Sequence, residues 1–420
     1  MSLVGTKVTA TRHRTATRAG LLTALMSTAL WAIVGHTPTA QGPAGLSSEV
    51  VFTANRGHVH ASSIVETPSG ALLVVWYENG DPDGAGPFEG QDLDKREDVR
   101  VSGARKAAGA TAWSTPYTLV DTTGFPDNNP ALAIDREGRL WLVHATLIGV
   151  PDEAWGSALT QARVSSDYDR DAAPRWDDTH LLLPRPPGLM AAVGQAAEQM
   201  RFGKGRTTEV AARSTRALER LASPWARRLG WMPRTHPLAL ADGSLVVPLA
   251  NENFNLAAMA ITQDGGATWT YSSPVPTLGL IQPSVVAFDA SRLTAFFRDA
   301  RGLGIIARSD SVDGGRTWSE AVPSGLPNPS GGVEAIRLAS GRLAMVYNNQ
   351  TGRERDRLAI SLSDDEGRTW RWTKQLADVP GERFDYPSVI QTRDGQIHVT
   401  FSDNLKTVRH VWFSEAWIQQ

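Results

Sequence analysis

Ser311-Val-Asp-Gly-Gly-Arg-Thr-Trp318 is one of three closely matching octapeptides in this 420-residue chain. The others are Thr262-Gln-Asp-Gly-Gly-Ala-Thr-Trp269 and Ser363-Asp-Asp-Glu-Gly-Arg-Thr-Trp370. All fit the pattern (S/T)-x-D-x-G-x-T-W. The chemistry of such a loop is local. Asp and Ser/Thr oxygens accept hydrogen bonds from neighbouring backbone N–H groups, and Gly permits a positive φ. The closing Trp is large enough to pack into a neighbouring hairpin. Degenerate copies end at Trp113 and Trp176.

Upstream of each octapeptide lies an apolar strand, a tight turn and a second apolar strand. Six such hairpins are present: 62–77, 131–145, 237–250, 284–298, 335–348 and 388–402. Their turns centre on Gly70, Gly138, Gly243, Ser291, Gly341 and Gly395. Alternating apolar residues around D-G, E-G or S-G predict β-hairpins. The last four turns are 48, 50 and 54 residues apart, which is the length of a four-stranded blade. The expected fold is all-β, a six-bladed β-propeller over residues 46–420. Only 25 residues follow Gly395, so the strand at Val50–Thr53 is expected to complete the last blade and close the ring.

The gap between Gly138 and Gly243 exceeds the repeat by about a blade. Its excess, residues 183–235, holds ten Lys/Arg against three Glu. Val210, Leu218, Leu221, Trp225 and Leu229 recur near helical spacing. A helical insertion between blades two and three is expected, packed on the propeller side or serving as a lid, a dimer contact or a membrane-surface patch. At the other extreme of the chain, Arg12, Arg14 and Arg18 precede an uncharged run from Ala19 to Gly35. That is the pattern of an export signal, or of an uncleaved anchor tethering the protein to a membrane, within residues 1–45. The expected location is periplasmic or extracellular.

Composition narrows the function. A formal charge of −2, from 42 basic and 44 acidic residues, argues against a nucleic-acid binder. There is no Cys, hence no disulfide and no thiolate metal site. No H-E-x-x-H, phosphate loop or G-x-S-x-G elbow occurs, so no metal or cofactor is expected.

With these repeats the chain resembles the sialidase (neuraminidase) superfamily, and within it the bacterial BNR-repeat branch, whose octapeptides are called Asp boxes. HVHASSIVETPSG, IQPSVVAF, RDRLAISLSDDEGRTW and DYPSVIQTRDGQIHVTF are the segments that carry the likeness. The resemblance implies three arginines on a substrate carboxylate, a Tyr nucleophile assisted by Glu, and an Asp acid/base. Its Glu-to-Arg spacing of 16 residues joins Gln282 to Arg298, so Gln stands where the family has Glu. Arg355 matches the third arginine, and Tyr386, in Asp385-Tyr386-Pro387-Ser388, matches the nucleophile. His60 stands at the first arginine's position. Asp92 is the best match for the acid, followed by Asp94, with Asp81 and Asp83 more distant. Asp385 or Glu334 could replace the missing Glu as base. Asn129-Pro130, Arg234, Arg301 and Asn328-Pro329 recur at blade starts or strand ends and are further candidates for the pocket lining.

The implied activity is hydrolysis of a terminal acidic sugar, sialic acid or a relative, from a glycan. A guanidinium offers a carboxylate a permanently charged, bidentate fork. Tyr is the known nucleophile exception among glycosidases. Two other functions compete: a non-catalytic carbohydrate-binding propeller, and a uronate-directed lyase with His60 or Tyr386 as base.

Overall fold

The computed structural model describes residues 40–41, 45–53, 57–80, 93–150, 154–202 and 208–420. Most of the expected export segment lies outside these residues, as do Asp81, Asp83 and Asp92.

Six antiparallel sheets form a six-bladed propeller. Blades 1 and 2 run Val59–Glu66 to Tyr117–Val120 and Asp127–Ile134 to Asp178–Leu182. Blade 3 runs Trp231–Met232 to Thr270–Tyr271, and blade 4 Leu280–Ala287 to Val322–Pro327. Blade 5 runs Glu334–Arg337 to Trp372–Asp378, and blade 6 Phe384–Gln391 to Thr407–Ser414. The first strand of each blade faces the axis and packs on its neighbours.

The ring is closed by Ser47–Val50, which pairs antiparallel with Thr407–Ser414. The closing strand therefore sits three residues earlier than the sequence suggests. Glu49 explains the register. Its carboxylate accepts from Lys106 Nζ at 2.8 Å and Trp113 Nε1 at 2.8 Å, and pairs with His410 Nδ1 at 2.9 Å. One side chain thus joins blade 1 to blade 6 through the closing strand.

The octapeptide loops behave alike in all three copies. Thr262, Ser311 and Ser363 Oγ accept from the N–H groups of Gly266, Gly315 and Gly367 at 2.8–2.9 Å. Asp264, Asp313 and Asp365 accept from the backbone and hydroxyl of Thr268, Thr317 and Thr369. Each loop leans on the preceding blade. Trp269 meets Trp141 of blade 2 edge to face, and Trp370 meets Phe296 of blade 4. Gly367 has φ +80°, and a Cβ there would stand 2.8 Å from Phe296, so both conformation and contact require glycine. The degenerate copies follow the same rule: Trp176 Nε1 donates to Leu119 O of blade 1, and Trp113 reaches the seam with blade 6.

Among the described residues, the insertion between blades 2 and 3 contains three helices: α1 (Leu189–Phe202), α2 (Thr208–Ala222) and α3 (Pro224–Arg228). Leu221 is buried as its periodicity suggests, but Trp225 is 72% exposed. Ser223 caps α3 by accepting from Ala226 N, and Pro224 begins it. This cap interrupts the helix and removes Trp225 from the apolar face of α2.

Candidate active site

The innermost strands share one irregularity. In blades 1, 2, 4 and 6 the pairing register shifts near the start of the strand, between His60 and Ser63, Asn128 and Ala131, Ile281 and Ser284, and Asp385 and Ser388. Each bulge contains one non-glycine residue in the left-handed region: Ala61, Asn129, Gln282 or Tyr386, with φ between 47° and 53°. Such a residue costs about 1–2 kcal/mol, so the fold must hold it in place. Proline follows three of the four, and a residue without an N–H leaves no orphaned donor at an unpaired position. Serine then closes three of the bulges. Ser63, Ser284 and Ser388 Oγ accept from Leu132, Ala335 and Ile64 N of the next blade at 2.9–3.2 Å. The bulges re-aim side chains at one end of the ring.

Gln282 and Tyr386 meet there. Gln282 Nε2 donates to Tyr386 Oη at 3.0 Å, and Arg298 Nη1 donates to the same oxygen at 3.1 Å. Arg298 Nη1 also lies 3.4 Å from Gln282 Oε1. Because a guanidinium only donates, that contact fixes the amide orientation. Tyr386 Oη therefore accepts from both neighbours, and Gln282 cannot take its proton.

Arg298 and Arg355 converge on Ser330. Arg298 Nε donates to Ser330 Oγ at 3.2 Å and Arg355 Nη2 to Ser330 O at 2.8 Å. Ser330 itself is left-handed, φ 61°. Arg355 Nη1 also donates to Asp385 at 2.6 Å, and Arg383 pairs with the second Asp385 oxygen. Burial opposes the Asp385 charge, but the Arg355 and Arg383 guanidinium groups beside it help hold the carboxyl below its usual range. Asp385 is thus occupied as an anion between two arginines. Glu334 is equally occupied: its two oxygens accept from His236 N at 2.8 Å and Val389 N at 2.9 Å. Neither carboxylate is placed to relieve Tyr386 of its proton.

His60 is stacked on the Tyr386 ring, centroids 4.1 Å apart and planes at 18°. Its Nδ1 is 3.0 Å from Ser402 Oγ. Burial pushes its pKa well below the ordinary histidine value, against the pull of Asp385. The imidazole is neutral at physiological pH and serves as a wall for the ring. It does not supply the charge of the arginine whose position it occupies.

On the loop after blade 1's second strand, Asp94 is among the described residues. Tyr77 Oη donates to Asp94 Oδ1 at 2.8 Å, and His58 Nε2 is 3.2 Å from the same oxygen. Tyr77 also meets the edge of His60, with centroids 5.6 Å apart. Asp94 therefore joins the His60–Tyr386 wall through two rings. Glu252, beyond the strand Leu245–Asn251, is a carboxyl that the sequence reading missed. Burial pushes its pKa up while Arg298 opposes. Arg301 turns away to pair with Asp299 at 3.0 Å. Asn328 Oδ1 accepts from Gly331 N at 2.7 Å and shapes the turn carrying Ser330.

Comparison with known proteins bears on the fold and the repeat family. A family model described as a BNR repeat-like domain matches residues 195–399. An anhydrosialidase of Macrobdella decora is 26% identical over 178 residues, covering 38% of this chain and 23% of the relative. This chain therefore matches under a quarter of that protein's length. Among solved structures, a Hadza microbial sialidase superposes with a TM-score of 0.64 at 16% identity, covering 86% of this chain and 66% of the other. The intramolecular trans-sialidase of Ruminococcus gnavus gives 0.63 at 14%, covering 89% and 98%. A Dyadobacter fermentans protein of unknown function gives 0.65 at 16%, covering 89% and 100%. At these identities the structural likeness speaks for the fold.

Proposed function

We propose that this chain, which matches a BNR repeat-like domain over residues 195–399 and shares the fold of sialidases, is an exported glycoside hydrolase that removes a terminal acidic sugar from glycans. One observation carries the reading: Arg298 and Arg355 meet at Ser330 beside the hydroxyl of Tyr386. The two guanidinium groups hold the sugar carboxylate. Tyr386 Oη attacks the anomeric carbon, and an aspartic acid of the 81–98 loop, Asp92 or Asp94, protonates the leaving oxygen. Hydrolysis of a panel of fluorogenic acidic glycosides tests this. Turnover by the wild type and its loss in Tyr386→Phe are expected. No turnover of any substrate rejects the activity, and unchanged turnover in the variant rejects Tyr386 as nucleophile.

One observation favours a second reading. Gln282 donates to Tyr386 where the resemblance implies a carboxylate base. A propeller that binds acidic sugars without cleaving them is consistent with that change. Saturable glycan binding in calorimetry, with no product released, selects it.

A further inference from the structure

The nucleophile reading leaves a question of charge. Tyr386 Oη receives two donors, and neither Asp385 nor Glu334 is free to act as its base. Beneath the ring lies Arg234. The inner strand of blade 3 is broken between Trp231–Met232 and Leu238–Ala239, and Pro233 and Pro237 bracket the break. Prolines at these positions withhold N–H donors from the ladder and let the chain leave it. Arg234, within the gap, is 2% exposed.

Its guanidinium carbon is 5.1 Å from the centre of the Tyr386 ring. Nη2 donates to the carbonyl of Pro387, the next residue after Tyr386, at 2.6 Å. Nε and Nη1 are buried without a hydrogen-bond partner among the described residues. Glycine at 332 makes room for this contact: a Cβ there would stand 2.5 Å from Tyr386 Cδ1 and 3.3 Å from Arg234 Nε. A buried cation with two idle nitrogens is costly, and a structure retains one where its charge is used. Burial pulls its pKa down, opposed by Glu334, Tyr386 and Asp385, yet a guanidinium remains charged at physiological pH.

We propose that Arg234 is a positioning residue that holds Tyr386 in its phenolate form before substrate arrives, in place of the missing carboxylate at 282. This rests on Tyr386 being the nucleophile. The phenol proton goes to bulk water as the free enzyme equilibrates. Phenolate Oη then forms the bond to the anomeric carbon, and the bond to the leaving oxygen breaks with its electron pair on that oxygen. The leaving oxygen takes the proton of the loop aspartic acid. Water next attacks the anomeric carbon and gives its proton to the aspartate, and Tyr386 departs as phenolate. A bare phenolate would repel the sugar carboxylate. Paired with the Arg234 cation, it presents no net charge to the substrate.

Six titratable or charged groups surround Tyr386: His60, Tyr77, Arg234, Arg298, Arg355 and Asp385. The test isolates one of them without substrate. The ultraviolet absorbance of phenolate is titrated in the full chain, and the same chain carrying Tyr386→Phe is subtracted. The pair is repeated in Arg234→Met and Arg234→Lys backgrounds. Arg234→Met is expected to raise the Tyr386 midpoint by roughly one pH unit or more, and Arg234→Lys by less, since it keeps the charge but not the guanidinium's position. An unchanged midpoint in the folded variants overturns the proposal. If only Arg234→Lys folds, its midpoint decides alone: an upward shift supports the proposal and none overturns it. A shifted midpoint without hydrolysis by the wild type would instead reject the nucleophile reading and leave the coupling of the two residues standing.

Discussion

The outer rim and the inner ring of this propeller are both built by repetition, but they repeat different things. On the rim, three loops repeat sequence and hydrogen bonds together, down to the Asp that accepts from a Thr four residues on. In the inner ring, four blades repeat a backbone irregularity, with a following Pro in three and a closing Ser in three, but its left-handed position varies between Ala61, Asn129, Gln282 and Tyr386. Repeated side chains serve the same packing task in every blade. A repeated backbone with varied side chains presents different chemistry at one end of the ring. The difference fits the rim as scaffold and the inner ring as the proposed site.

Changes in the two regions should therefore separate activity from stability. Tyr386→Phe is expected to lower kcat/KM by about a thousand-fold or more while the thermal midpoint stays close to wild type, since one hydroxyl is removed from a nucleophile. Steady-state kinetics with a melting curve checks both halves. Arg298→Lys should weaken substrate by roughly ten- to a hundred-fold, seen mainly in KM, because a point charge cannot reproduce the fork that meets Ser330 and Tyr386. At the seam, Glu49→Ala strands Lys106, Trp113 and His410. Its expected cost is about 2–3 kcal/mol in chemical denaturation, below the full value for a buried pair because the site is partly open to water. On the rim, Asp313→Ala removes four hydrogen bonds, from Ser311, Arg316 and Thr317. About 1–2 kcal/mol of stability should be lost, with kcat/KM per folded molecule unchanged. A large activity loss there would break the division between rim and ring.

The smallest effect is a pH dependence. Burial tends to raise the Asp365 carboxyl, but hydrogen bonds from Thr369, Ser363 and Arg368 win and lower it to about 2. A depressed folded pKa means stability that is complete above the unfolded value, about 4, and fades as pH falls towards 2. Asp169, held at about 2 by Ser69, Arg105 and Thr67 against burial, adds to the same window. Both carboxyls are only half-buried, so solvent screens these bonds and the decline in thermal midpoint between pH 4 and pH 2 should be modest. Asp365→Asn should flatten part of it.

The fold was legible because the octapeptides and hairpin turns are local signals, each complete within a few residues. The closing strand was misplaced by three residues because Glu49 is fixed by Lys106, Trp113 and His410, which lie far away in sequence. Trp225 was assigned to an apolar stripe because periodicity does not register the cap at Ser223-Pro224. Within the site, Arg298, Arg355, Gln282 and Tyr386 follow from the resemblance to the sialidase superfamily, and they come together. The bulges that bring them together are shifts of register, visible beforehand only as a Pro after Asn129, Gln282 and Tyr386. Ser330, Tyr77 and Arg383 carried no signal, since each acts through a partner on another strand or loop, whereas His58 shares a strand face with His60. His60 was found by position, but its neutrality follows from burial that the sequence does not state.

The central claim is that the inner ring gathers one pocket for an acidic sugar. A crystal structure soaked with an acidic monosaccharide tests it most directly. The expected result is a carboxylate hydrogen-bonded to both Arg298 and Arg355, with the anomeric carbon about 3 Å from Tyr386 Oη. A sugar bound elsewhere, or one whose carboxylate touches neither arginine, would contradict it.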